Sequence, residues 1–205
     1  QQKGRNTKEN IQRNFGMMKP EGYRKALRVM KLAEKFNLPI LTLIDTPGAD
    51  PGIGAEERGQ GYAIANNLFE MASIETQILS VVIGEGASGG ALGIGLCDKM
   101  IMLEHTWFSV ISPEGCASIL WKDSTKAPEA ADSLKLTPKD LMEHNICNSI
   151  VYEPPGGAHR HFEETAEILK NAVIEEIKNM QKNITKNYLD LRVERYDKLG
   201  VFRED

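Results

Sequence analysis

The spacing of apolar residues changes several times along this chain, and each change marks an element. In residues 21–36, Leu27, Met30 and Ala33 recur at helical spacing with basic residues between them. This predicts a half-buried helix, opened by Pro20 and closed near Asn37-Leu38-Pro39. The run Ile40-Leu41-Thr42-Leu43-Ile44 then ends in Asp45-Thr46-Pro47-Gly48, which predicts a short, buried parallel strand. Residues 48–54 hold three Gly and one Pro and read as a loop. A second helix is predicted over 55–71, with Glu56 and Glu57 near its positive end. Residues 78–83 repeat the buried-strand pattern and lead into Gly84-Glu85-Gly86-Ala87-Ser88-Gly89-Gly90, followed by a helix of small residues to about Leu96. Short strands are expected at 99–103 and 107–111. From Pro113 the pattern is helical, apart from a last strand at 149–152. One long amphipathic helix is predicted over 162–188, with a shorter piece to Leu199.

Strand–loop–helix units repeated in this way indicate an α/β fold with buried strands. The chain of 205 residues is long enough for one domain, 1–205, with a helical C-terminal extension over 162–205. Composition narrows the function. Hydrophobic residues make up 41% and charged residues 26%, the balance of an ordinary soluble protein. The net charge of −4, with no dense Lys/Arg run, gives no reason to expect nucleic acid as a partner. No apolar run approaches the ~18 residues of a membrane span. Cys97, Cys116 and Cys147 are widely spaced and odd in number, which fits a reducing compartment; without a CxxC pair, no structural zinc site is expected here. The start, Gln1-Gln2-Lys3-Gly4-Arg5, resembles neither an initiator nor a targeting segment, so a preceding segment is expected.

The chemistry is expected where strands end and glycine-rich loops open helices, at 45–54 and 84–90. Glycine lets a ligand approach backbone N–H groups closely, and a helix beginning there adds partial positive charge. A hole of this kind is worth roughly 3–4 kcal/mol per donor to a developing oxyanion. The same glycines also suit close helix packing. Gly86-Ala87-Ser88-Gly89-Gly90 matches the G-x-S-x-G nucleophile elbow, with Asp140 and then His144 or His159 following in hydrolase order, though no HGGG-type segment precedes it. Asp45-Thr46-Pro47-Gly48 resembles the DxxG of a GTPase, but no GxxxxGK[ST] loop accompanies it. The other polar residues carry bland readings. His105 reads as a turn residue and His144 as part of an exposed helix face. His159 and Arg160 are expected at the surface or against CoA phosphates, Arg58 paired with Glu56 or Glu57, and Glu85 bonded to a loop amide. Met17, Met18, Met71, Met100 and Met102 read as core.

An ordered set of motifs goes further. Arg5-Asn6-Thr7-Lys8-Glu9-Asn10, Asn14-Phe15-Gly16-Met17 and Pro20-Glu21-Gly22-Tyr23-Arg24-Lys25-Ala26-Leu27-Arg28 come first. Ile44-Asp45-Thr46-Pro47-Gly48-Ala49, Gly54-Ala55-Glu56-Glu57-Arg58-Gly59-Gln60, Ile83-Gly84-Glu85-Gly86 and Ser88-Gly89-Gly90-Ala91-Leu92 follow. Residues 111–122, Glu153-Pro154 and Gly156-Gly157-Ala158-His159 complete the series. In this order the chain resembles the alpha-subunit family of the bacterial-type acetyl-CoA carboxylase carboxyltransferase, a likeness that fades after about Phe162.

The resemblance implies a crotonase-like fold and an assembly of two alpha and two beta subunits, the beta subunit carrying a four-cysteine zinc ribbon. It implies transfer of a carboxyl group from carboxybiotin, held on a biotin carboxyl carrier protein that a biotin carboxylase loads, to acetyl-CoA, giving malonyl-CoA for fatty acid synthesis. It implies a bacterial cytoplasm or a plastid stroma. Under it, the Gly89 and Gly90 backbone, with Ala91 opening the helix, holds the ureido oxygen. The freed biotin anion takes the acetyl proton, so no side-chain base is needed. Thr46, Pro47, Gly48, Ala49, Asp50, Pro51 and Gly52, with Gly86 and Ser88, line the biotin side. Members of the family usually carry an aromatic residue where this chain has Asp50, so weaker biotin binding or turnover is expected unless Asp50 turns away or finds a partner. A lone crotonase-type acyl-CoA hydratase or decarboxylase, a serine hydrolase using Ser88, and a non-catalytic scaffold are the competing readings.

Overall fold

The computed structural model describes residues 1–182 and 187–200. The short helix α1 (Thr7–Gln12) is capped by the Asn6 side chain, which accepts from the Glu9 N–H. α2 (Pro20–Lys35) begins on its proline, as the sequence pattern predicts, and buries Tyr23 and Met30. Then follow β1 (Ile40–Thr46), the small helix α3 (Ile53–Glu57) and α4 (Gln60–Ala72). The single helix expected over 55–71 is therefore broken at Arg58-Gly59, where Gly59 takes φ +79° and its N–H bonds back to the Glu56 carbonyl.

β2 (Ile78–Ala87) runs straight into α5 (Ser88–Gly95). β3 (Lys99–Leu103) and β4 (Trp107–Ser109) follow, the latter shorter than the 107–111 expected. After them come α6 (Pro113–Trp121), α7 (Ala127–Leu134), α8 (Pro138–Glu143), β5 (Ser149–Val151), α9 (Phe162–Lys182) and α10 (Tyr188–Asp197). Residues 183–186 and 201–205 of the expected C-terminal helices lie outside the described residues.

The sheet is parallel throughout, in the order β1-β2-β3-β5. β2 is long enough to serve two partners in succession on one side: Leu79–Val82 pair with β3, and Glu85–Ala87 pair with β4. This extends β2 four residues past its apolar run, through glycines read as loop. The paired backbone of β1 and β4 holds the extension where its own side chains do not.

Side chains alternate between the faces of β2, as a strand requires. Ile78 and Val82 join Tyr23, Met30, Ile44, Ala63, Met71 and Ala91 on the face covered by α2, α4 and α5. Leu79 and Val81 join Ile101, Leu103 and Val151 on the other, under the apolar stripe Ile168, Leu169, Ala172, Val173 and Ile177 of α9. The first strand differs from the fully buried reading. β1 is an edge strand, and Leu41 and Leu43 are 43% and 46% exposed because no described element covers that side. Met71, Met100 and Met102 are core; Met17 and Met18 are only partly buried. The α6–α7 hairpin packs chiefly on itself through Cys116, Ala117 and Ala130, and leaves Ile119 and Leu120 exposed.

At the N-terminal end of the strands, Arg192 of α10 is only 2% exposed. Its guanidinium meets Asp98 through Nε at 2.8 Å and Nη2 at 3.1 Å. The remaining donors go to the carbonyls of Met71, Ala72, Ile74 and Thr76, which close the C-terminal end of α4 and the turn after it. Asp98 also accepts from the Ile78 N–H at 2.7 Å, so one ion pair ties α10, α4 and the start of β2 together. No helix among the described residues is long and apolar enough to cross a membrane.

Candidate functional site

At the opposite end of the sheet the two glycine loops meet. β1 ends at Thr46, which pairs with Gly86 of β2, so the loops leave adjacent strands side by side. Thr46 is fully buried; its hydroxyl donates to the Gly48 carbonyl at 2.6 Å and accepts from the Gly48 N–H at 3.2 Å. This closes the first loop tightly. Ala49 bridges to Met18, and the Gln60 amide donates to the Met18 carbonyl at 2.8 Å and the Asp50 carbonyl at 3.0 Å. The loop is thereby pinned from beneath, with Pro47, Pro51 and Gly52 exposed above.

Gly90 packs directly on this loop. A Cβ placed there would lie 2.2 Å from the Gly48 carbonyl carbon and 2.7 Å from the Ala49 nitrogen, so only glycine allows the two backbones to touch. Ser88 takes φ +55°, an uncommon conformation for a non-glycine residue, at the sharp turn from β2 into α5. Because α5 opens at Ser88, the amides of Ser88, Gly89 and Gly90 precede the first i→i−4 bond, and Ala91 is the first residue able to reach back to Ala87. No side chain among the described residues caps this terminus. Ser88 is exposed, Gly89 half-buried and Gly90 buried against the first loop. The result is a helix N-terminus whose Gly89 and Gly90 amides lie outside the helical ladder, with Ser88 exposed, beside a loop closed by Thr46. Such a surface suits an anion.

The structure brings together Gly89, Gly90, Ala91, Ser88 and Thr46, Gly48 and Ala49. Gly86 has a different neighbour: its missing Cβ makes room for the Phe108 ring of the chain itself. Asp50 finds a partner, its carboxylate accepting from the Gly52 N–H at 2.9 Å in an Asx turn. Sequence reasoning missed the lacing around the loops. Lys3 Nζ bridges Asp45, at 3.1 Å, and Glu85, and Asp45 in turn accepts from the Glu85 N–H. Burial alone would lower the Lys3 pKa, but the bonds to Glu85 and Asp45 more than offset it and hold the ammonium above its usual value. Glu85 thus bonds Lys3 with its side chain, not a loop amide. Arg58 pairs with Glu21 at 2.6 Å, across from α2, rather than with Glu56 or Glu57. Periodicity within one helix carries no signal for such pairs.

None of the candidate acid–base groups hydrogen-bonds the Ser88 side chain among the described residues. Asp140 is committed to the Thr137 capping box, and that hydroxyl's hydrogen bond lowers its pKa. His144 ends α8 at the surface, and His105 sits in an exposed turn. His105 and His159 line a cavity of about 600 Å³ with Ile83, Gly84 and Glu153. Larger lining sets with charged groups, such as Asp98, Lys99 and Arg195, occur at the far end of the sheet. At the glycine loops, Pro47, Pro51, Gly52 and Ser88 are exposed to solvent. No group of three His, Cys, Asp or Glu among the described residues is placed to hold a metal ion.

Solved structures share this architecture. A Pseudomonas malonate decarboxylase hetero-tetramer in complex with coenzyme A superposes with a TM-score of 0.71 at 12% identity, over 89% of this chain and 74% of that one. A transcarboxylase 12S aligns at 0.62 and 20% identity, over 75% and 31%. These likenesses place the chain in the crotonase-type fold. In sequence, the chain is 53% identical over its whole length to the acetyl-coenzyme A carboxylase carboxyl transferase subunit alpha of Chlorobium phaeobacteroides. It is 57% identical over 99% of its length to that of Methylococcus capsulatus. It spans 61% and 63% of the length of these relatives. Residues 1–200 match the acetyl co-enzyme A carboxylase carboxyltransferase-like family. The chain belongs to that family.

Proposed function

We propose that this chain is the alpha-subunit portion of an acetyl-CoA carboxylase carboxyltransferase and supplies the biotin-side half of its active site. The observation that carries the reading is the uncapped start of α5, with Gly90 wedged against Gly48 beside it. Biotin on its carrier protein, loaded by a biotin carboxylase, delivers the carboxyl group and leaves with negative charge on its ureido oxygen. The Gly89 and Gly90 amides are in place to accept that charge before it develops, so no reorganisation is required at the moment of reaction. Ala91 anchors the first ladder bond behind them. The 46–52 loop forms the wall beside the ring, stiffened by Thr46 and Gln60. Protonation at the acetyl group needs no base from this chain, in keeping with Asp140 being engaged elsewhere. The exposure of Pro47, Pro51, Gly52 and Ser88 suits a site completed by a second chain of the same fold, the beta subunit with its zinc ribbon and acetyl-CoA.

Reconstitution tests this. Full-length chain and beta subunit together are expected to decarboxylate malonyl-CoA only when biotin is present, and neither alone. Hydration of an enoyl-CoA by the chain alone would overturn the reading. The φ of Ser88 favours one second reading, a serine hydrolase, because a nucleophile elbow needs this turn. Covalent labelling of Ser88 by a fluorophosphonate would establish it; no labelling is expected.

A further inference from the structure

α5 is an unlikely helix by composition. Its eight residues, Ser-Gly-Gly-Ala-Leu-Gly-Ile-Gly, include four glycines, each costing roughly 1 kcal/mol against alanine. Yet its first turn must hold two amides in a fixed direction. Something outside the helix has to fix it. Two buried polar side chains point at its carbonyls. Tyr23 of α2, 0% exposed, donates from its hydroxyl to the Gly90 carbonyl at 3.4 Å, a carbonyl that also accepts from the part-buried Gln1 side chain at 2.5 Å. Its ring lies so close that a Cβ on Gly93 would fall 2.7 Å from it. Asn67 of α4, 1% exposed, donates through Nδ2 to the Gly93 carbonyl at 3.0 Å, near the C-terminal end, where carbonyls lack ladder partners. The Asn67 Oδ1 has no partner among the described residues. A buried amide that leaves one end unsatisfied is poor packing for its own sake, and what it does satisfy is α5.

We infer that Tyr23 and Asn67 are positioning residues for the anion site. They hold α5 from its buried side at two points of its length, so the Gly89 and Gly90 amides stay aimed outward. Their hydrogen bonds onto helix carbonyls also polarise the peptide units in the sense that makes the N-terminal pole more positive. Neither residue touches the surface where a ligand would sit. The inference rests on reading that surface as the carboxyl-transfer half-site.

The test uses the full-length chain assembled with its beta subunit. Tyr23→Phe removes one hydroxyl and keeps the ring. Its kcat for biotin-dependent malonyl-CoA decarboxylation is expected to fall about fivefold to tenfold with the biotin KM within about twofold, matching a loss of donor alignment rather than of binding. Asn67→Asp, which keeps the shape and removes the donor, should shift kcat the same way. A rate equal to wild type in both variants, or a change confined to KM, overturns the inference while leaving the proposed function standing. Backbone amide exchange over residues 91–94 gives an answer independent of turnover. It should be several-fold faster in both variants than in wild type, and unchanged exchange overturns the inference even if the wild-type assembly transfers no carboxyl group, the result that would sink the functional reading itself.

Discussion

The two ends of the sheet handle backbone polarity in opposite ways. At the N-terminal end of the strands, the Arg192 donors are consumed by Asp98 and by carbonyls that would otherwise be stranded below α4. At the C-terminal end, the Gly89 and Gly90 amides at the start of α5 lie outside the helical ladder, with Tyr23 and Asn67 bonded to the helix from behind and Gly48 packed beside it. The contrast separates stability from function. A buried donor set that is fully matched locks elements together. A donor set left unmatched at a surface is tolerable only if the fold prevents it from collapsing onto its own carbonyls.

Breaking the matched end should cost the most stability. Arg192→Ala leaves the half-buried Asp98 without its cation and strands the carbonyls of Met71, Ile74 and Thr76, and about 3–5 kcal/mol of stability is expected to go. In thermal melts this is a drop on the order of 10 °C. Protein that remains folded and assembled should keep its turnover within about twofold, because the two ends are far apart and nearly independent. A large kcat loss at full folding would show that the ends are coupled.

Breaking the unmatched end should cost activity first. Gly90→Ala drives a methyl into Gly48, parts the loops and misaims the amides. Transfer is expected to fall roughly a hundredfold to a thousandfold, the loss of about one oxyanion donor. The check is turnover on material shown to be assembled by size-exclusion chromatography. Activity within threefold of wild type would mean that the contact between the loops is dispensable.

Asp50→Tyr sharpens the comparison at the loop itself. It deletes the Asx bond to Gly52, worth about 1 kcal/mol, and adds an aromatic face worth roughly 0.5–1.5 kcal/mol against a bound ring. The biotin KM should fall roughly twofold to tenfold with a small loss of thermal stability. An unchanged KM and rate would show that the aspartate does not weaken biotin use.

The smallest effect concerns pH at the matched end. Burial pushes the Cys147 thiol up to about 11 and the Tyr196 hydroxyl, which accepts the Cys97 N–H beside α10, up to about 12. In the unfolded chain these groups ionise nearer 9 and 10. Their neutral forms therefore stabilise the fold fully below pH 9, and that contribution is lost as pH rises through 11 and 12. Melting temperatures should be level from pH 7 to 9 on this account and then decline, on the order of a few degrees per pH unit. A flat profile to pH 11 would contradict these protonation states.

How much of this was legible beforehand depends on the range of the interactions involved. The helix from Pro20, the strands at 40 and 78, the glycine loops and the order of the family's motifs are local patterns, and the amino-acid sequence alone determined them. The short run over residues 40–44 is enough to mark a strand; it does not say that β1 is an edge, because the neighbour it lacks is nowhere in its own sequence. Likewise the extension of β2 through glycines, the Arg58–Glu21 and Lys3–Glu85 pairs and the clamp at Arg192 join residues tens of positions apart, so only tertiary structure decided them. The chemistry followed the same division. Gly89 and Gly90 could be nominated from spacing, but what stands behind α5 could not: a phenol and an amide from two other helices, placed there by packing rather than by any motif.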